Sequence, residues 1–485
     1  MNPLAKLDHR YVWHPFTQMR DWLKQEPIVI VEGHGAVLRD VHRREFLDAN
    51  SSIWTNLHGH NHPKINAAIR RQLNKIAHSS ALGLANEPAS LLAEKLIVAA
   101  NPAKVGRGVP TTPRVIHHRR GGDTAPYLAK VFFSDDGSTA MEVALKLAYE
   151  FTRRTGRSKQ PKFLSLEGAY HGDTVGAVAL GHIDLFHKAY SNLLFKTDRV
   201  PAPYCFRCPY NRAKPQRADA REYRQCNWEC VDNLEKKFVA QKKKGNPYAA
   251  FVVEPLIQGA AGMIPQPSGW LKRAAEISRA QGALFIADEV MTGFGRTGNA
   301  PGLFACHQEG VRPDFIALAK GLTGGYLPMA ATLTTQRIFD AFLGEYREFK
   351  TFFHGHSYTG NQLGASAALV NLEILQSAAS IRARRSLQTA LQEELKGLWT
   401  LPNVGDIRQV GLVVGIELVK DWRTREPFEL RERAGVRVCE AMAKRGVLTR
   451  PIGNVVVLMP PYCTTAEQLE KMVAALKKAI AELEL

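Results

Sequence analysis

Four short apolar runs constrain this chain more than any other feature: KVFFS at 130–134, YAAFVVEP at 248–255, ALFIADE at 283–289 and DFIALAK at 314–320. Between them lie stretches with helical periodicity. STAMEVALKLAYEF sets Met141, Leu145, Ala148 and Phe151 on one face, and INAAIRRQLNKIA does the same with Ile65, Ile69, Leu73 and Ile76. Continuous apolar strands alternating with amphipathic helices predict an α/β domain whose mostly parallel sheet is covered on both faces.

That alternation runs from about 61 to 345, which defines the expected large domain. Two insertions are expected in it, a Gly/Pro-rich basic one near 104–128 and a cysteine-bearing one near 201–232. Residues 1–60 carry strand and turn signals but too few apolar residues for a core of their own. They are expected to join 346–485 in a smaller α+β domain containing VGDIRQVGLVVGIELV, VVVLMPPY and a final helix that opens on a capping box from Thr465 to Gln468.

Composition narrows the class. With 45% hydrophobic and 23% charged residues, this is the makeup of a soluble globular protein. No apolar stretch has the length of a secretory signal or a membrane span, so the expectation is a cytoplasmic protein. The formal charge of +18 admits nucleic acid or anionic ligands. The basic residues are scattered, however, and lack the interleaved aromatics of a strand-binding groove, so neither nucleic acid nor membrane is expected as a partner. The seven cysteines do not make a disulfide framework. Four cluster as Cys205-x2-Cys208 and Cys226-x3-Cys230, which reads either as reduced loop thiols or as a structural zinc site.

Ligands in open parallel sheets sit beyond the C-terminal strand ends, and there this chain carries its reactive groups. KVFFS leads through Gly137 and Ser138 into a helix N-terminus, a cradle for phosphate or an ordinary cap. Glu254 and Asp288 close two apolar strands, where a carboxylate needs a partner or a capping role. Lys320 closes a third, and a lone lysine there is ordinarily a surface cap. Taken together, a phosphate cradle, a buried acid and a lysine are what pyridoxal phosphate requires. The amine condenses with its aldehyde, and the acid keeps its ring nitrogen protonated. Tyr170 and His171, in SLEGAYHGDT, could stack on the ring or be core residues.

DEVMTGFGRTG, ALAKGLTGG, EGAYHGDT, VVEPLIQGAAGM, SDDGSTAMEVALK and HGHSYTGNQ together resemble the class III aminotransferases of pyridoxal-phosphate fold type I. WHPFTQM and SSIWTNLHGHNHP further resemble the biotin-pathway branch, which converts 8-amino-7-oxononanoate to 7,8-diaminononanoate, commonly with S-adenosylmethionine as amino donor, while FTQM with HGHSYTGNQ also resembles members that take the amino group from lysine. The resemblance implies pyridoxal 5'-phosphate as cofactor, with Lys320 as the Schiff-base lysine and Asp288 on the pyridinium nitrogen. It implies further that Gly137 and Ser138 bind phosphate, that Tyr170 and His171 lie against the ring, and that Glu254 supports its surroundings. His356 and Ser357 would reach the phosphate of a neighbouring chain, making the active unit a homodimer. Phe16 would serve catalysis at the donor side, while Ile53, Trp54 and Gly355 would line the substrate pocket, with Tyr170 and Lys320 also reaching substrate. Arg450 would hold the substrate carboxylate through two parallel hydrogen bonds.

Some positions depart from the branch that uses S-adenosylmethionine. Phe16 stands for a tyrosine, Ile53-Trp54 for two tryptophans, Val457 for an aromatic, and His356-Ser357 for proline-threonine. Aromatic faces stabilise a sulfonium cation, so these changes leave the donor open between S-adenosylmethionine and lysine. Two rival functions follow. One is a class III enzyme acting on ornithine, 4-aminobutyrate or β-alanine; the other is a non-catalytic basic protein that binds zinc and nucleic acid.

Overall fold

The computed structural model describes residues 1–102, 126–298 and 302–483. Of the insertion expected near 104–128, residues 104–125 lie outside the described residues. A seven-stranded sheet forms the centre, in the order Leu128–Ser134, Ala330–Thr335, Phe315–Leu318, Leu284–Asp288, Tyr248–Val253, Lys162–Leu166, Asp198–Val200. Of the seven, Ala330–Thr335 alone runs opposite to the other six. The other six strands therefore end at one edge. Strands Tyr248–Val253, Leu284–Asp288 and Phe315–Leu318 are buried at every residue, which explains their unbroken apolar sequences.

Helix Gly137–Arg154 covers the sheet with its expected face, burying Met141, Leu145, Ala148 and Phe151. Helix Pro63–Leu73 differs from expectation. It buries Ile65, Ala68 and Gln72, while Leu73 and Ile76 are exposed. The helix packs on Gln362–Gln376 and ends at Leu73, so the predicted apolar stripe runs past its own element.

Chain segments from both ends meet on one side. Antiparallel strands Ile30–His34, Val37–Asp40 and Glu45–Asp48 extend onto Val447–Leu448, which pairs in parallel with Glu45–Asp48. A second antiparallel sheet holds Val404–Val410, Val413–Leu418, Val455–Leu458 and Pro451–Ile452. The final helix, Ala466–Ala481, starts on the Thr465/Gln468 capping box and buries Leu469, Met472, Val473, Leu476 and Ile480.

The cysteine-bearing segment is clamped to that second sheet by buried charge. The Arg408 guanidinium donates to Glu417, to the Tyr204 hydroxyl (2.8 Å) and to the Gly262 carbonyl (2.6 Å), with Asp406 Oδ2 at 3.4 Å. Arg207 Nε reaches the other Glu417 oxygen at 2.7 Å. Removing one partner of such a network strands the rest without water. Arg408→Met is therefore expected to lower stability by about 3–5 kcal/mol, read as a loss of unfolding free energy in guanidinium titrations.

Candidate active site

A cavity of about 1140 Å³ opens at the shared strand edge. Asp288, the last residue of its strand, is buried and sits with Oδ2 2.7 Å from His171 Nδ1, while Oδ1 accepts from the Val290 amide. Glu254 follows the adjacent strand; its oxygens accept from the amides of Gly259 (2.7 Å) and Tyr170 (3.3 Å). Burial pushes the Glu254 carboxyl up to about 7, His171 opposes that, and the nearby Asp288 charge adds to it.

Lys320 follows strand Phe315–Leu318 and lines the same cavity. Burial lowers its amine below the ordinary lysine range, against the pull of Asp288 and Glu254. The Trp54 indole lies over it, with Nζ 4.6 Å from the ring centroid. Among the described residues Nζ has no hydrogen-bond partner. Three buried polar atoms of the cavity lining have no hydrogen-bond partner among the described residues: Asn50 Oδ1, Trp54 Nε1 and His171 Nε2.

On the neighbouring edge, Asp136 and Thr139 form a capping box for helix Gly137–Arg154, placing Gly137 and Ser138 in its first turn. The backbone comes close there. A Cβ on Gly172, which has φ +121°, would fall 2.2 Å from Ser138 Oγ, and one on Gly137 would fall 2.7 Å from Val290. Only glycine leaves this cradle open. Tyr170 borders it and donates from its hydroxyl to Asp173 Oδ2 at 2.7 Å.

The expected substrate residues divide into two groups. Phe16, Ile53, Trp54 and Arg450 all line the cavity, with Arg450 exposed at the rim and without an ion pair among the described residues. Gly355, His356 and Ser357 do not line it in a single chain; His356 Nδ1 lies 3.1 Å from Asp135 Oδ2, and the Ser357 carbonyl accepts from His78. Phe186 escaped the sequence reading. It meets Phe16 edge-on at 5.3 Å and Tyr170 at 6.4 Å, from the short helix Asp184–His187. The available signal was an apolar Leu185-Phe186 pair, of which Leu185 is 76% exposed, in an otherwise polar turn.

The four cysteines of the 201–232 segment are free thiols. Burial pushes Cys205 up to about 12 and Cys230 up to about 11. Among the described residues no group of three or more His, Cys, Asp or Glu is placed to hold a metal ion.

A half-buried lysine sharing a cavity with two strand-end carboxylates, beside a glycine-lined helix N-terminus, is the site of a pyridoxal-phosphate enzyme, and the sequence profile described as aminotransferase class-III matches residues 19–480. The chain belongs to the class III aminotransferases. It is 46% identical over 477 residues to the adenosylmethionine-8-amino-7-oxononanoate aminotransferase of Geobacter sulfurreducens, covering 98% of this chain and 97% of that relative. The enzyme of the same name from Methanocaldococcus jannaschii is 42% identical over 488 residues, covering 100% and 99%. The crystal structure of the Methanocaldococcus jannaschii enzyme superposes with a TM-score of 0.86 at 39% identity, over 99% of both chains. An amine transaminase from an uncultivated Pseudomonas species, solved in its PLP-bound form, gives 0.84 at 31% identity, over 98% and 99%.

The residues present fit pyridoxal phosphate. The cradle that a single Cβ would fill suits a phosphate, the buried Asp288 suits a protonated ring nitrogen, and the unpartnered Lys320 amine suits an aldehyde.

Relative to its ordinary value of 4.5, Glu254 is raised to about 7, so it binds its proton more tightly folded than unfolded. Its stabilising contribution is complete below about 4.5 and is lost as pH rises through about 7. The melting temperature of cofactor-free protein should accordingly fall across that window. Glu254→Gln, a neutral mimic of the protonated acid, should flatten part of the fall in a pH series of thermal melts.

Proposed function

We propose that this chain transfers an amino group to 8-amino-7-oxononanoate, making 7,8-diaminononanoate for biotin, with S-adenosylmethionine or lysine as donor. The observation that carries the reading is the Lys320 amine, opening into a cavity walled by Trp54 and rimmed by Arg450, in a chain 42–46% identical over its length to relatives bearing that enzyme's name. When bound, pyridoxal phosphate supplies an aldehyde that takes up the amine and a ring that accepts electrons.

The chain's own residues do the rest. Lys320 Nζ, its proton loosened by burial, takes a proton from the carbon that bears the donor amine and later returns one to the acceptor carbon. Asp288, at the end of its strand, is fixed by His171 and the Val290 amide where it would pair with a protonated ring nitrogen. Arg450 offers a planar pair of donors to the acceptor's carboxylate, and the apolar wall of Ile53, Trp54, Phe186 and Ile452 accommodates its methylene chain.

The same reading takes residues 61–345 as the cofactor-holding domain and 1–60 with 346–485 as the smaller one, supported by the pairing of Leu47 with Val447. It also takes the active unit as a cytoplasmic homodimer, in which His356 and Ser357 of one chain approach the phosphate held by the other. That neither residue lines the cavity of its own chain is consistent with such a role.

Two experiments test the reading. Lys320→Ala should keep the fold by circular dichroism and lose turnover by at least about a thousandfold, the scale of a general acid–base group; retained steady-state activity would refute the assignment. Purified enzyme should turn over 8-amino-7-oxononanoate in preference to ornithine, 4-aminobutyrate or β-alanine. The opposite preference would favour the amine-transaminase reading, to which several solved neighbours also point.

A further inference from the structure

The residues that carry Trp54 into the site have an unusual backbone. Ser51, Ser52, Ile53 and Trp54 have φ of 46°, 47°, 60° and 70°, four consecutive side-chain-bearing residues in the left-handed region. L-residues visit that region singly and reluctantly, because the Cβ crowds the following carbonyl. A run of four therefore needs something that holds it, and the contacts converge on one group.

Asp48 closes strand Glu45–Asp48 and is buried, with 3% of its surface exposed. Its Oδ1 accepts from the Ser52 amide at 3.0 Å and the Asn50 amide at 3.3 Å, and its Oδ2 accepts from the Ser52 hydroxyl at 2.9 Å. His60 Nε2 lies 3.0 Å from the same Oδ2. Asn56 Nδ2 faces His60 Nδ1 at 3.0 Å, so the imidazole is held at both ring nitrogens, one of them on Asp48. Burial raises the Asp48 carboxyl, and the hydrogen bonds from His60 and Ser52 outweigh it, leaving the group below the ordinary aspartate range. One carboxylate thus ties the start of the left-handed run to the strand before it and to His60 after it.

The other end of the run is aimed. Trp54 rests on Gly259, where a Cβ would stand 3.3 Å from the indole Cζ3, and its ring covers Lys320 Nζ at 4.6 Å. The Ser51 hydroxyl donates to the Met459 carbonyl at 2.6 Å, so the turn is also pinned to the C-terminal sheet side.

We propose that Asp48 is a positioning residue of the enzyme: by holding the left-handed turn Ser51–Trp54, it fixes the Trp54 indole over the Lys320 amine. The proposal rests on Lys320 being the cofactor lysine, and it does not depend on which keto acid is the acceptor.

A double-mutant cycle on the holoenzyme tests it. Asp48→Ala and Trp54→Ala should each lower kcat/KM by about tenfold or more, and the double variant should be no more than about threefold worse than the poorer single, because both act through one indole. A second arm reads the absorbance of the bound cofactor against pH. The indole face favours a cation at the lysine nitrogen, so the midpoint should fall by roughly half a pH unit in Trp54→Ala and by a like amount in Asp48→Ala. If Asp48→Ala does not fold, Asp48→Asn enters the same cycle, since it keeps an oxygen for the amides but turns an N–H toward His60. Multiplicative losses, or a cofactor midpoint moved by Trp54→Ala and unmoved by either Asp48 variant, would overturn the proposal. Should the wild type fail to use 8-amino-7-oxononanoate, the functional reading falls and the absorbance arm still decides the role of Asp48.

Discussion

Two buried carboxylates and an amine gathered at one cavity are the constraint on which the rest of this structure depends. Burying a charge costs several kcal/mol unless a partner compensates it. Here Glu254, Asp288 and Lys320 stand at the ends of three neighbouring strands, where both carboxylates pull the lysine's affinity for its proton up against burial and the Asp288 charge adds to the rise at Glu254. The arrangement is tolerable because each carboxylate is tied to backbone amides or to His171, while the amine faces a cavity rather than packed core. Parallel strands make this possible, since they bring their C-terminal ends to one edge where each loop can contribute a group.

Around that trio the fold spends stability on geometry. Lys320 itself has φ +42°, and the four-residue left-handed run ending at Trp54 adds a cost of about 1–2 kcal/mol per residue. Such conformations persist where surrounding contacts over-determine them, and they gather at functional sites. The contacts that do so come from far along the chain: the Met459 carbonyl to Ser51, and the buried Arg296 bridging the Asn56 and Pro460 carbonyls. The two chain ends, which look peripheral in sequence, thereby build one wall of the cavity.

Much of the central sheet was legible because its signals are local. An apolar run that stops on Glu254, Asp288 or Lys320 announces a buried strand ending in a charge, and a Gly-Ser pair before an amphipathic helix announces a cradle. What escaped was non-local. Nothing within AATLTT distinguishes the antiparallel strand Ala330–Thr335 from a parallel one, because direction is set by where the neighbours lie. The exposure of Leu73 and Ile76 depends on where helix Pro63–Leu73 stops and what it packs on. Phe186 and Asp48 gain their significance only through partners 170 and 12 residues or fewer away that no periodicity links to them: Phe16 and Tyr170 for the first, Ser52 and His60 for the second. The cysteine-bearing segment read as a loop, yet Cys205 and Phe206 are buried against the sheet that Arg408 and Glu417 organise.

The most direct test of the account is chemical. Holoenzyme should be yellow, and borohydride should bleach it while fixing one pyridoxyl phosphate group, located by peptide mass mapping on Lys320. Reduction that leaves Lys320 unmodified, or that labels a different lysine, would contradict the central claim that this amine, covered by Trp54 in the cavity it shares with two strand-end carboxylates, is where the cofactor is joined.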